Sequence, residues 1–267
     1  MSMLSYDFMQ RAFVVSLFIS VIIPCVGLVV VLKRLATTGE ALSHVSLGGI
    51  AVGLVMGLNP ILVAVVLSIA AALTIEYMRK SFPKFSDIAT NVILSLGVGL
   101  AAVFSGLVTN TASFNNFLFG SIIAITDFEM YLVIGLSAVV IVVSLLLYNE
   151  LFFIAFDEEG AKLSGIPVGS INAVFSVLTA VVVSVSARTV GALVVSSLIV
   201  IPIACAMMVS KSYKKTLVMS IVFAMLFTLL GLTIAFYTGA KPGGTIVLFG
   251  AAVLLAIIIV KRLIVHD

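Results

Sequence analysis

The chain of 267 residues is 63% hydrophobic and only 9% charged, with 14 Lys and Arg, 11 Asp and Glu, and no Trp. A soluble domain carries about 25% charged residues, so these few charges could not cover the surface of a water-soluble fold of this length. Soluble enzymes, nucleic-acid-binding proteins and disordered chains are therefore excluded, and an integral membrane protein remains.

Long apolar runs follow one another along nearly the whole chain. A helix needs about 20 apolar residues to cross a bilayer core of roughly 30 Å, and continuous runs exclude a β-barrel, whose strands alternate. The sequence therefore predicts an all-α, polytopic helix bundle in one domain over residues 1–267, with about nine transmembrane helices and a range of about eight to ten. The predicted spans are 10–32, 37–58, 60–78, 87–108, 128–148, 170–187, 189–210, 215–237 and 244–260.

The basic residues divide unevenly between the two sides of this map. Because cytoplasmic loops of membrane proteins carry an excess of Lys and Arg, the richer side is assigned to the cytoplasm. The N-terminus is then predicted outside and the C-terminus inside, which requires an odd number of crossings and agrees with nine. Eleven of the 14 basic residues lie on the cytoplasmic side of this map: Lys33, Arg34, Arg79, Lys80, Lys84, Lys162, Lys211, Lys214, Lys215, Lys261 and Arg262. The other three lie outside: Arg11, Arg188 and Lys241.

Two connections are longer than the joining of neighbouring spans requires. Residues 109–127 fall outside and mix polar with aromatic residues, which predicts an extracellular loop with a short or re-entrant helix. Residues 149–169 fall in the cytoplasm, where three acidic residues begin a short stretch that ends at Gly165 and Pro167. That pattern predicts one capped amphipathic helix. It is either part of a solvated loop or a docking helix for a cytoplasmic partner.

The second span carries a carboxylate and an imidazole at metal-binding spacing. Glu40 and His44 are four residues apart, so on an α-helix they share a face, and His44 lies roughly 15 Å beyond Arg34, near the bilayer midplane. Ionisable groups at that depth cost about 2.5–3.5 kcal/mol or more and mark transport pathways. Nitrogen and oxygen ligands together suit Zn²⁺, Mn²⁺ or Fe²⁺. An interhelical hydrogen-bonded pair, or Glu40 as a charge at the helix N-terminus, stays open.

Other polar groups in the spans are weaker candidates. Asn91 and Ser95 share a face of the fourth span, where they either line a pore or pack against neighbours, and Arg188 is either a structural anchor or part of an outer gate. Gly49, Gly53 and Gly57, with their four-residue spacing, predict close helix packing around the second span. The sequence has no P-loop and no zinc-protease or serine-hydrolase motif, so the energy for active transport comes from an ion gradient or another chain.

Three stretches resemble, in order, motifs of the permease subunits of bacterial zinc/manganese ABC importers. The second-helix signature of that family is similar to LKRLATTGEALSHVSLGGIAVGL, the cytoplasmic coupling loop to FDEEGAKLSGIPV, and a third region to RTVGALVVSSLIVIPIACA. The family's Pro-Ala-Ala is here Pro202-Ile203-Ala204. Many members carry Asp in place of Glu40, and either carboxylate can bind a metal. Length and hydropathy agree from Phe8 to about Arg262.

The resemblance implies a transport function and a set of partners. The chain would be a non-enzymatic subunit of the bacterial cell membrane, in contact with lipid and not with nucleic acid. It would work with a second copy of itself, a cytoplasmic ATP-binding subunit and an extracytoplasmic metal-binding protein. No resident cofactor is expected, and the transported ion is Zn²⁺ or Mn²⁺, with Fe²⁺ as a third candidate. The resemblance places the metal contact at Glu40 and His44 and the coupling role at Asp157, Glu158, Glu159, Ala161 and Gly165.

Two other functions stay open. A stand-alone, proton-coupled secondary carrier of metal ions would need further carboxylates deep in the membrane, and Glu40 is the only one that the sequence places there. A membrane scaffold or assembly factor would leave the shared face of Glu40 and His44 without an explanation.

Overall fold

A computed structural model describes residues 3–82, 85–108, 110–121, 125–187 and 190–265. Every regular element in these ranges is a helix, since apolar runs of this length satisfy their backbone hydrogen bonds within one segment. Two short 3₁₀-helices cover Met3–Ser5 and Ala192–Val194. The α-helices are α1 (Asp7–Leu32), α2 (Ala36–Met56), α3 (Pro60–Ser81), α4 (Ser86–Ser105), α5 (Thr111–Phe119), α6 (Asp127–Leu146), α7 (Tyr148–Phe156), α8 (Glu158–Leu163), α9 (Val168–Ser186), α10 (Val195–Val209), α11 (Tyr213–Thr238) and α12 (Pro242–Val265).

Within the described ranges, nine helices are long and apolar enough to cross a membrane: α1 to α4, α6 and α9 to α12, with α10 extended by the 3₁₀-helix before it. The predicted all-α bundle with nine crossings is confirmed. Helix bounds differ from the predicted spans by a few residues, because the ends of apolar runs only approximate the capping positions. The largest shift is at the end of the ninth span, which is predicted to stop at residue 260, whereas α12 continues to Val265.

The centre of the bundle is formed by α1, α2 and α9, whose membrane-length windows are each 67% buried, whereas the window of α12 is only 17% buried. Glycines in α2 let this helix pack closely against its neighbours at the centre of the bundle. A Cβ added at Gly49 would lie 2.6 Å from Cα of Ala64, and one added at Gly53 would lie 2.8 Å from Cα of Pro60. The α2 and α3 backbones therefore touch, as the glycine spacing predicts.

The charged side chains gather at two opposite ends of the bundle. At one end, near the start of α1, Arg11 Nε lies 2.9 Å from Asp127 Oδ1. At the other end α1 reaches Lys33, and Lys261 Nζ donates a hydrogen bond to the Met208 carbonyl oxygen at 3.1 Å. A cavity of about 420 Å³ at this second end is lined by Glu76, Arg79, Lys80, Glu158, Lys162, Val168, Gly169 and Asn172. The structure thus places Arg11 at one end of the bundle and Lys33, Lys80 and Lys162 at the other.

One helix was not expected from the sequence. The 149–169 segment is predicted to hold a single capped helix, and the structure contains both α7 and α8 there. Because α7 is almost wholly apolar and buries Leu151 and Ile154, it lacks the polar pattern that marks α8. The other long connection, 109–127, contains the nine-residue helix α5, whose N-terminus is capped by the side chain of Asn110.

Candidate functional site

The turn between α1 and α2 determines where the polar residues of α2 begin. Arg34 adopts a left-handed backbone conformation with φ of 58°, which costs a residue other than glycine about 1–2 kcal/mol. Its N–H donates a hydrogen bond to the Val31 carbonyl oxygen at 3.1 Å, which closes the end of α1. Because α2 starts at Ala36, Glu40 and His44 lie on its second and third turns.

Glu40 and His44 lie on the side of α2 that the rest of the bundle leaves uncovered. The Glu40 side chain is exposed and that of His44 is half-buried. Ser43 and Ser46 are buried instead, and the Ser43 hydroxyl donates to the Gly39 carbonyl oxygen at 3.0 Å. Glu40 and His44 thus lie within the length of the predicted span, yet the described helices do not enclose this pair.

Neither side chain is hydrogen-bonded or ion-paired to any residue in the described part of the chain. Among those residues, the interhelical hydrogen-bonded pair that the sequence left open is not formed. No group of three or more His, Cys, Asp or Glu residues able to hold a metal occurs in the same ranges. Glu40 and His44 are thus free to bind a cation, and two ligands leave most of its coordination positions to water or a second chain.

Helix α4 crosses α2 at the level of His44. A Cβ added at Gly97 of α4 would lie 2.6 Å from the Val45 nitrogen and 2.9 Å from the His44 carbonyl carbon. On the other side of the crossing, a Cβ at Gly48 would lie 3.2 Å from the Gly97 oxygen. Backbone meets backbone at this crossing, so the position of the imidazole along and across the bundle depends on α4.

Asn91 and Ser95 lie on the opposite face of α4. Both are exposed, and they line an open depression of about 430 Å³ with Ile88, Val92 and Leu96. The Ser95 hydroxyl donates to the Asn91 carbonyl oxygen at 2.9 Å. The structure therefore does not bring this polar pair to Glu40 and His44. The remaining candidate from the sequence, Arg188, lies outside the described residues.

Helix α8 is a short capped helix at the basic end of the bundle. The Asp157 carboxylate accepts a hydrogen bond from the Gly160 N–H at 2.8 Å and caps the N-terminus. Beyond the C-terminus, Gly165 has φ of 83°, a conformation that favours glycine. Ala161 is fully buried against the bundle, whereas Leu163 is 90% exposed, and Glu159 is also exposed. One side of α8 is thus anchored and the other is open.

Glu158 belongs to the anchored side of α8. Its carboxylate lies 3.1 Å from Lys33 Nζ and 3.3 Å from Lys162 Nζ. Partial burial acts to raise the pKa of Glu158, but the charges and hydrogen bonds of Lys33 and Lys162 outweigh it and hold the pKa below its usual value. Glu158 is therefore ionised at neutral pH, and the ion pairs weaken only as the pH falls through this lowered pKa.

Two charged residues have structural positions that the sequence did not indicate. Lys33 contributed only to the predicted orientation, and its contact with Glu158 spans 125 residues of sequence, so no local pattern reveals it. Glu129 is a buried carboxylate at the start of α6. It accepts a hydrogen bond from the Thr126 N–H at 2.9 Å in a capping box, which the Thr-x-x-Glu spacing signals. That cap accounts for Glu129 at the start of α6.

Nine membrane-length helices, an uncovered carboxylate–imidazole pair and a small capped helix at one end define a multi-pass membrane permease. The chain belongs to the ABC 3 transport family, whose model matches residues 5–261. It is thus a transport component of a bacterial membrane and not a catalytic subunit.

Known relatives agree with this assignment over nearly the full chain. A Treponema pallidum (strain Nichols) protein named "Probable metal transport system membrane protein" is 35% identical over 258 residues, covering 96% of both chains. The manganese import system permease protein ScaB of Streptococcus parasanguinis is 27% identical, covering 92% of this chain and 88% of ScaB. Among solved structures, PsaBC from Streptococcus pneumoniae in complex with Fab superposes with a TM-score of 0.86 at 26% identity, covering 96% of this chain and 92% of that one.

Proposed function

We propose that this chain is the membrane-spanning subunit of an ATP-driven importer of a divalent transition metal. The observation that carries the proposal is the unpartnered pair Glu40 and His44 on the uncovered face of α2, at a level where α4 locks the backbone of α2. In this proposal the N-terminus lies outside and the C-terminus in the cytoplasm, which the gathering of basic residues at the Lys33 end of α1 supports.

Manganese is the first proposed cargo, with Zn²⁺ and Fe²⁺ behind it. A carboxylate and an imidazole without a thiolate suit Mn²⁺, which prefers oxygen and nitrogen ligands. The relatives named for manganese import support the same order. The ion is a substrate that passes through, so a site with few protein ligands, which releases its ion readily, fits this role better than a closed tetrahedral site.

A second copy of the chain is proposed to complete the pathway. In a twofold dimer the same patch meets itself, so two α2 faces brought together would present two carboxylates and two imidazoles to one ion. This arrangement also gives the Glu40 carboxylate polar neighbours within the membrane, where an unpartnered ionisable group is costly. A single chain would leave it facing lipid.

The proposed cycle uses partners at both ends. A metal-binding protein outside releases the ion to the dimer, and Glu40 and His44 replace part of its hydration shell. ATP binding and hydrolysis in a cytoplasmic partner displace α8, and the bundle alternates between outward-facing and inward-facing states. This chain orients and releases the ion and performs no chemical step.

The decisive experiment is metal-resolved uptake in a deletion strain complemented with this chain, in the presence and in the absence of a co-expressed cytoplasmic ATPase subunit. We expect Mn²⁺ accumulation only when both are present. Accumulation with this chain alone would indicate the stand-alone secondary carrier instead. Restoration of Zn²⁺ uptake without Mn²⁺ uptake would overturn the proposed order of cargoes.

The open side of α8 is proposed to dock the ATPase subunit. Substituting Leu163→Asp places a charge where the apolar side chain is 90% exposed, and we expect ATPase binding to weaken by about 30-fold or more, as for an interface hot spot. Co-purification and binding of the two subunits in detergent measure the effect. Leu163→Met, which keeps the apolar contact, should bind as the parent does, and equal binding by the Asp variant would contradict the docking assignment.

A further inference from the structure

Lys33 is a buried charge at a junction of three helices. Its side chain is only 9% exposed, which is rare for lysine unless the charge is paired. The ammonium group donates to Glu158 of α8 at 3.1 Å and to Asn172 of α9 at 3.0 Å. Lys33 itself is the C-cap residue of α1. One side chain thus ties the docking helix to two helices of the buried centre.

The connection from Lys33 to the metal-binding helix is short and stiff. Only the three residues 33–35 separate α1 from α2. The Leu35 N–H donates to the Val30 carbonyl oxygen at 2.8 Å, and Arg34 holds its left-handed conformation in the middle of the turn. Glu40 follows Lys33 by seven residues. A displacement at Lys33 is therefore passed to α2, because the turn has no slack segment to absorb it.

A second lysine provides an internal comparison. Lys162 contacts the same carboxylate at 3.3 Å, but it lies on α8 itself, four residues from Glu158, and is 58% exposed. An exposed pair within one helix contributes little, and it cannot connect α8 to another element. Among the described residues, Lys33 is the one whose side chain pairs with Glu158 from outside α8.

We propose that Lys33 is the positioning residue that transmits the movement of α8 to α2, through its bonds to Glu158 and Asn172 and the 33–35 turn. This inference rests on the proposed function, since it assumes that an ATPase drives α8. It assigns Glu158 to transmission within this chain and leaves Glu159 and Leu163 facing the partner. Lys33 touches neither the ion nor the nucleotide in this scheme.

The test uses the intact complex with its co-purifying ATPase, reconstituted in liposomes, with Mn²⁺ uptake and ATP hydrolysis measured on the same sample. Lys33→Met removes the charge and keeps the length of the side chain. We expect the variant to retain its ATPase subunit and to hydrolyse ATP, while Mn²⁺ transported per ATP falls about tenfold, a typical size for coupling between sites. Lys162→Met should keep the parent ratio.

A double variant with the two charges exchanged distinguishes loss of the ion pair from loss of folding. In Lys33→Glu with Glu158→Lys, the pair is restored with its charges reversed, and we expect transport per ATP to recover toward the parent value. An unchanged ratio in Lys33→Met, or equal losses in both lysine variants, would overturn the role of Lys33. Assembly without recovery of the ratio in the exchanged pair would do the same. A parent complex without ATP-dependent uptake would instead overturn the proposed function.

Discussion

In Glu40→Ala and in His44→Ala, Mn²⁺ uptake is expected to fall by about 10–100-fold or more, since even the loss of a group that orients a metal ligand has effects of that size. Both residues lie on the uncovered face of α2 and make no hydrogen bond or ion pair with a described residue, so their removal breaks no polar contact within the described part of the chain. The complex should therefore assemble normally. Uptake of the radioactive ion in cells, normalised to the amount of protein in the membrane, measures the loss.

Two control variants separate metal binding from a general disturbance of α2. Ser43→Ala, next to His44 in the chain, removes a buried hydroxyl whose one hydrogen bond among the described residues is to the Gly39 carbonyl oxygen, and it should keep uptake close to that of the parent. Glu40→Asp keeps the carboxylate and should retain most of the activity. Normal uptake in both Glu40→Ala and His44→Ala would refute the site.

Gly97→Ala is expected to disrupt transport by separating two helices. The added methyl would lie 2.6 Å from the Val45 nitrogen and 2.9 Å from the His44 carbonyl carbon, and backbone atoms cannot rotate away as a side chain would. Overpacking of this kind costs about 1–3 kcal/mol. We expect a lower melting temperature of the purified protein and a clear loss of uptake, because α4 must move away from α2 beside His44.

The neighbouring glycine on α4 is a matched control. A Cβ at Gly99 meets nothing within 4 Å, so Gly99→Ala makes the same chemical change on the same helix without a clash. Alanine is favoured over glycine within a helix by about 0.5–1 kcal/mol, so melting temperature and uptake should be preserved or slightly improved. Equal behaviour of the two variants would show that the crossing at Gly97 tolerates a methyl group.

The membrane helices were predictable because the length and continuity of apolar runs determine them. The span predicted at 10–32 is α1 (Asp7–Leu32), and that at 60–78 is α3 (Pro60–Ser81). Helix α7 was missed for the opposite reason. Its sequence is as apolar as a span, but with nine residues it is too short to cross a membrane by itself. Because it follows α6 almost directly, the sequence does not distinguish it from an extension of α6.

The candidate site was predictable only where it is local. Glu40 and His44 share one helix, so their common face follows from their spacing. Their exposure does not, because it depends on which helices pack around α2. The bond between Lys33 and Glu158 spans 125 residues and requires the three-dimensional arrangement. Asn91 and Ser95 show the same limit, since the sequence places them on a shared face but not on the side away from α2.

Helix α2 meets α3 and α4 backbone to backbone at several glycines. The close approaches at Gly49 and Gly53 on one side, and at Gly97 on the other, involve backbone atoms that cannot move aside as a side chain can. In the proposed transport cycle, we therefore expect α2, α3 and α4 to move together as one block that carries Glu40 and His44. On the α10 side, by contrast, Gly39 faces the terminal methyl of Ile199, 3.5 Å from the position of an added Cβ. Because such a side chain can change rotamer, we expect the motion of the proposed cycle to occur more readily between α2 and α10 than between α2 and its glycine-packed neighbours.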